Sequence, residues 1–397
     1  MQLVEQGAVD LDAPASRYAP GYDVPDEVTV RSLLNQTSGF GAYDSLAEAA
    51  DGELGETFGA FSYANANYDL LGRVVEGASG EDYARYLDEH VLEPLGMAST
   101  TADPARAEAL GMVPGHRDWF GLPVADGFRH AQGDGAWGGP ASGYVASSVR
   151  DMASYLRMYL NGGMGGDGAR VLSADSVRRM FLDRVPDPEG DTYYGMGWTS
   201  FSWDDGELVL SHDGQVENYT ASMCLLPERG IGIVALSDAN DNAGGNIRFF
   251  DLVGGAVSVA IGGTGQPMDD AWTWAWRQRV DVLYASALLL AVSPLLLTGR
   301  WRRRLSAACR GGVAPIVRAR SLRMLLVRGV LLHVALPVCI LALPFVWGVP
   351  WRDLLTFSPD VSTVLLASAG LLVVAGAVRL AAAVTLRNDE PPPSIMR

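Results

Sequence analysis

The apolar positions of this chain change period along its length. Tyr68, Leu70, Leu71, Val74 and Val75 recur at helical spacing, as do Tyr83, Tyr86, Leu87, Val91 and Leu92, so helices are predicted over 67–77 and about 80–95. A short helix is predicted from Arg31 through Leu34, after a strand at Val28–Val30 and before Thr37-Ser38-Gly39. Residues 148–160 and 173–181 also read as helices, and each opens on a serine, whose hydroxyl accepts from the free N–H groups of a first turn. Residues 100–145, rich in Gly and Pro, read as loop. From Tyr194 the pattern turns strand-like. Tyr194–Phe201, Glu207–Ser211, Tyr219–Leu226 and Ile231–Leu236 are predicted strands, with Pro227-Glu228-Arg229-Gly230 as a hairpin turn and a helix over about 243–261 behind them. Helices first and antiparallel strands late predict an α+β domain.

Past residue 276 the periodicity gives way to continuous apolar runs. Residues 282–299 and 361–378 are each 18 residues without a charge, and 329–351 is 23. As helices such runs span about 30 Å of hydrocarbon. The expected division is a domain over 1–265, a linker over 266–281, membrane helices over 282–299, 329–351 and 361–383, a basic connector over 300–328 and a tail over 384–397. The connector carries nine arginines, whereas 352–360 carries only Arg352. Positive charge stays inside, so the connector and C-terminus are expected in the cytoplasm and the domain outside. Trp272, Trp274 and Trp276 before the first run, and Trp347 and Trp351 at the end of the second, then fall at the outer interface, where indoles prefer to sit. His333 is expected as a neutral imidazole facing a neighbouring helix.

Charge sharpens this division. Residues 1–276 hold 41 acidic residues against 15 arginines, and residues 277–397 hold 5 against 15. An excess of 26 negative charges argues against nucleic acid as a partner. Every basic residue apart from histidine is arginine, and the 397 residues contain no lysine. GC-rich coding explains that, and an acidic surface kept soluble in high salt explains it too. Of the three cysteines only Cys224 lies in the acidic part, so that part is expected to have no internal disulfide. The five histidines show no metal-ligand spacing, and no metal or cofactor is expected. Met1–Gly7 lacks the basic and apolar regions of a signal peptide. It reads as the tail of a helix, so the domain is expected to begin upstream.

The chemistry-bearing residues follow this frame. Tyr63-Ala64-Asn65 opens the first long helix, and a Tyr-x-Asn turn there aims a phenol and an amide at one point. His212-Asp213-Gly214 follows the apolar run Leu208–Ser211. Each is a weak signal alone. Their order, together with Leu33-Leu34-Asn35-Gln36-Thr37-Ser38-Gly39, Glu93-Pro94-Leu95-Gly96-Met97, Ala141-Ser142-Gly143-Tyr144 and Tyr194-Gly195-Met196-Gly197-Trp198, resembles the β-lactamase-related serine hydrolases over about 1–262. That family includes class C β-lactamases, D-Ala-D-Ala peptidases and esterases. The resemblance implies a β-lactamase/transpeptidase-like α+β fold, an antiparallel sheet with a helical region, and acyl transfer on an amide or ester.

By the same resemblance Tyr63 is the general base and acid, Asn65 bonds the substrate amide, and His212 lines the cleft opposite. Asp213, Gly214, Gln215 and Val216 border the substrate, and a backbone N–H near Gln215 or Val216 gives half of the oxyanion hole. Two motifs of the family, Tyr-x-Asn and His-x-Gly, are thus present. The third, Ser-x-x-Lys, is absent from these 397 residues because they hold no lysine. The expected partners are a small-molecule or peptide substrate outside the membrane and the lipid bilayer. A membrane-anchored serine hydrolase and a non-catalytic binding module on the same three-span anchor both remain open.

Overall fold

A computed structural model describes all residues except 204–205, 242–244, 266–269, 310–314 and 389–397; the side chains of 270–278, 315–318 and 386–388 also lie outside the described set. The chain divides into two compact units, residues 1–117 with 123–269, and residues 118–122 with 270–397.

The first unit is built on a six-stranded antiparallel meander, Val185–Pro186, Tyr193–Gly195, Trp198–Ser202, Leu208–Val216, Tyr219–Leu226 and Ile231–Ser237, each strand paired with the next in chain order. Side chains alternate between the faces of a strand, and the core follows that alternation. Leu210 and Leu225 join Leu156, Met158, Tyr159 and Val177, from the helices Val149–Leu160 and Ala174–Leu182, on one face. Val209, Cys224 and Leu226 join Val253 and Val257, from the helix Asn246–Ala260, on the other. A third cluster gathers the N-terminal segment around Leu33, Leu46, Leu70 and Val74 and packs the helix Asn65–Ser79.

The serine starts hold: Ser148 and Ser173 each accept from the backbone three residues on. Several expectations change. Residues 100–145 are not all loop, since they hold the helix Pro104–Ala109 and the short strands His116–Trp119 and Leu122–Val124. Val28–Val30 is not a strand. Thr29 makes one isolated bridge with Pro14, and its hydroxyl caps the helix Val30–Leu34 by accepting from Ser32 N. Tyr194–Phe201 is two strands, because Met196 (φ 48°) and Gly197 (φ 90°) turn the chain back on itself. Such left-handed pairs make the tight hairpins that match strand twist. The predicted helix over 80–95 narrows to Tyr83–Leu87, capped by Asp82, with a π-turn over Asp88–Leu92.

The second unit is helical. Arg279–Leu296, Ala319–Trp347 and Pro359–Thr385 are long and apolar enough to cross a membrane, which supports a membrane protein. The boundaries differ from the uncharged runs. The first helix ends at Leu296, after Pro294, and a new helix begins at Thr298. The helix ending at Trp347 stops on Gly348 (φ 68°), so Trp351 opens the next helix and donates its indole N–H to Leu341 O at 3.1 Å. His333 lies in a π-turn over Leu331–Ala335, buried, with Nδ1 2.8 Å from Leu372 O. Arg379 reaches His333 Nε2 at 3.2 Å and Pro294 O at 2.8 Å, linking the three long helices. The indoles of Trp272, Trp274 and Trp276, part of the linker, and the end of the tail lie outside the described residues.

Candidate active site

The turn that presents Tyr63 is held from beneath. Gln36 is completely buried and adopts a left-handed backbone (φ 57°) that a non-glycine side chain enters only when its surroundings demand it. Its carbonyl accepts from Ser62 N at 2.8 Å, and its side-chain Oε1 accepts from Ala64 N at 3.0 Å and from Asn67 Nδ2 at 2.5 Å. The residues on both sides of Tyr63 are therefore pinned to one buried amide. Tyr63 is 40% exposed as a residue and lies just before the helix Asn65–Ser79, with its ring turned towards Tyr194 and His212.

Opposite lies the strand Leu208–Val216. His212 falls on the face shared with Leu210, and its ring lies 6.4 Å from that of Tyr63. Tyr194 closes a triangle with the two, 6.0 Å from Tyr63 and 6.2 Å from His212. The strand Trp198–Ser202 pairs with Leu208–Ser211 only. Residues 212–216 therefore present an edge without a strand partner among the described residues, on the side of the Trp198 strand. An open edge of that kind offers backbone donors and acceptors to an extended ligand or to a developing oxyanion.

The alternation divides the four predicted substrate-binding residues. Gly214 and Val216 share the His212 face. Asp213 and Gln215 turn to the other: Asp213 Oδ1 accepts from Ser222 Oγ at 2.5 Å, and Gln215 Oε1 accepts from Asn246 Nδ2 at 2.8 Å. Their side chains serve the sheet and the helix behind it, so only their backbone lies available to the cleft. Asn65 is half-buried beside Gly138, where a Cβ would meet its Nδ2 at 3.1 Å.

Electrostatics sets what Tyr63 can do. Burial, and next the Asp69 carboxylate, push its phenol above its ordinary value near 10. Burial pulls the His212 imidazole below 6.5 despite the opposing charge of Asp213, so His212 is neutral at neutral pH and is no cation for the phenol. Asp69 itself is pushed up to about 6 by burial, against hydrogen bonds from Ser142 and Gly139. A tyrosine acts as a base near neutral pH only beside a positive charge. The charge that Tyr63 feels here is negative.

Sequence reasoning missed several supports. His130 Nδ1 lies 2.8 Å from Glu217 Oε1, and its Nε2 lies 2.9 Å from Gly138 O. Its ring stacks on Tyr144 at 3.7 Å. Glu217, 2% exposed, sits in the turn just after Val216, so this pair ties the loop beside Asn65 to the end of the cleft strand. Nothing in the chain marks two residues 87 apart as partners. For Gln36 a signal existed, its place in the Leu33–Gly39 segment. Glu81, Glu89 and His90 converge as possible metal ligands, but Arg85 already bonds Glu89 at 2.8 Å, which makes them a surface ion-pair cluster.

Comparison with known proteins bears on the family and the fold. The Beta-lactamase family profile matches residues 1–252. Penicillin-binding protein 4 of Amycolatopsis lactamdurans is 28% identical over 263 residues, 59% of this chain and 66% of that protein. Protein flp of Staphylococcus aureus (strain MW2) is 25% identical over 261 residues, 60% of this chain and 50% of that protein. The chain thus spans half to two-thirds of the length of these relatives. Among solved structures, the octameric penicillin-binding protein homologue from Pyrococcus abyssi superposes with a TM-score of 0.52 at 25% identity, over 67% of this chain and 63% of that one. A class C β-lactamase from Rhodobacter sphaeroides, at 21% identity and a TM-score of 0.50 over 64% of this chain and 80% of that one, shares the fold. With a match that covers more than half of its residues, the chain belongs to the Beta-lactamase family.

Proposed function

We propose that the first unit is the acyl-transfer domain of a membrane-anchored serine hydrolase. Its substrate is an amide or ester outside the membrane: a peptidoglycan-like peptide, a β-lactam or an ester. The arginine-rich connector 300–328 supports an orientation with that connector and the C-terminus in the cytoplasm. The observation that carries the reading is the Tyr63 phenol facing His212 across the unpaired edge 212–216. In acyl transfer Tyr63 would relay the proton between nucleophile and leaving group, His212 would hold the leaving group or a substrate carboxylate, and the edge would bind backbone and oxyanion.

The 397 residues hold no Ser-x-x-Lys, so the nucleophile of such an enzyme is not among them. The raised phenol of Tyr63 fits that lack, because the missing lysine is the cation that would lower it. The same observation favours a second reading, a binding module that holds the ligand and does not react. Labelling with a fluorescent β-lactam and a fluorophosphonate separates the two. The 397-residue chain should take no covalent label. A chain extended by its upstream coding sequence should label if that sequence supplies Ser-x-x-Lys, and Tyr63→Phe should slow labelling about 100-fold or more. An extended chain that carries Ser-x-x-Lys yet never labels would leave the binding module. Covalent labelling of the 397 residues would overturn both readings.

A further inference from the structure

The helix Thr298–Cys309 has two unlike faces. Trp301, Leu305 and Ala308 recur at helical spacing on one side, and Arg300, Arg302, Arg303 and Arg304 occupy the rest of the circumference. The apolar side is seated: the Arg379 guanidinium lies 5.6 Å from the centre of the Trp301 ring, and Arg379 also bonds Pro294 O at the end of the first long helix. The four arginines of the other side are exposed. Arg320, Arg323 and Arg328 follow on the helix Pro315–Val330 and are exposed as well. No Asp or Glu occurs anywhere in 282–352, and none of these seven arginines has an acidic partner among the described residues.

Seven uncompensated guanidinium groups in one segment of one small unit repel one another unless an external anion lies among them. Their position states which anion. Arg300 lies four residues beyond Leu296, where the first candidate span ends, and Arg328 immediately precedes Gly329, where the uncharged part of the second begins. Both ends of this segment are therefore tethered at the depth of lipid headgroups. A helix with an aromatic on its apolar side and arginines on the other lies in that interface, and guanidinium groups take phosphate in paired hydrogen bonds.

We infer that the arginine face of the helix Thr298–Cys309 forms a docking surface for anionic phospholipid headgroups, with the helix held flat on the leaflet by Trp301 and Arg379. This rests on the long helices crossing a bilayer, not on the direction in which they cross. It is also independent of the chemistry proposed for the first unit. The full chain, purified in a neutral detergent, is offered equal amounts of phosphatidylglycerol and phosphatidylcholine, and retained lipid is counted by native mass spectrometry. Phosphatidylglycerol should be retained in preference, and soluble glycerol phosphate in excess should not displace it. Replacing Arg300, Arg302, Arg303 and Arg304 by Gln should weaken retention by roughly 600-fold, while replacing all four by Lys should preserve most of it, since each positive charge near the surface contributes a factor of about five. Equal retention of the two lipids, displacement by glycerol phosphate, or an unchanged preference in the Gln variant would overturn the inference.

Discussion

Arginine is used in two opposite ways in the two units of this protein. In the acidic unit it is a fastener. Arg31 bonds Asp12 and Asp183, Arg73 bonds Glu76 and Asp134, and Arg229 bonds Glu207, so partly buried arginines join acids on the same helix and on segments up to 152 residues away. In the helical unit Arg300, Arg302, Arg303 and Arg304 meet no acid among the described residues. The same side chain contributes to folding in the first case, and in the second it contributes only when something outside the protein is bound. A charge stabilises a fold in proportion to how far it is desolvated and paired.

The largest expected effect breaks the paired side of this contrast where it is most deeply buried. Glu217→Ala leaves His130 and the Tyr144 hydroxyl facing a buried gap. A loss of about 3–5 kcal/mol follows from removing one partner of a buried pair. Thermal unfolding of the full chain in neutral detergent should show it as a fall of roughly 10 °C; a fall of under about 3 °C would mean that the pair does not hold the loop. The sign with pH is definite. Burial lowers His130, but Glu217 and the Gly138 carbonyl outweigh it and the net shift is upward. The folded protein therefore holds this proton more tightly than the unfolded chain does. The contribution is fully present below the unfolded value near 6.5 and is lost as pH rises through the higher folded value.

Asp69→Asn should act in the opposite direction and somewhat less. The folded carboxyl titrates near 6, above its ordinary 3.8, so ionising it opposes folding. The native state is favoured by this group below the ordinary value and loses that advantage as pH rises through about 6. The amide keeps an acceptor for Ser142 without the charge. A gain of up to roughly 2 kcal/mol at pH 7.5, absent at pH 4, is expected in denaturant melts at the two pH values. Equal melts of variant and parent at pH 7.5 would contradict the shift.

The smallest effect sharpens the unpaired side. The variant with Gln at Arg300, Arg302, Arg303 and Arg304 should unfold in lipid-free neutral detergent within about 0.5 kcal/mol of the parent, as exposed charges without partners do. A larger loss would mean that these arginines are fasteners after all.

Legibility followed the range of the interaction. The serine caps at Ser148 and Ser173 and the strand Tyr219–Leu226 were readable because each depends on residues a few positions apart. The Met196–Gly197 turn was not, since Tyr194-Gly195-Met196-Gly197-Trp198 has the apolar content of one strand and only the positive φ at Met196 reveals two. His212 lies beside Tyr63, whereas the side chains of Asp213 and Gln215 face the opposite way. A period of two fixes that adjacent residues diverge, but not which of them meets the cleft until both faces of the sheet are covered.

From its sequence alone, then, this protein has determined its family motifs, its three long apolar helices and its division into an acidic and a basic unit, because composition, spacing and local periodicity are properties of the unfolded chain as much as of the folded one. The tertiary structure decided the rest. It pins the Tyr63 turn to a buried Gln36, opens the edge 212–216 by starting the neighbouring strand only at Trp198, and surrounds the phenol with a carboxylate and a neutral imidazole. Desolvation and the sign of the nearest charge set a tyrosine's chemistry, and both depend on residues that only folding brings within reach of one another.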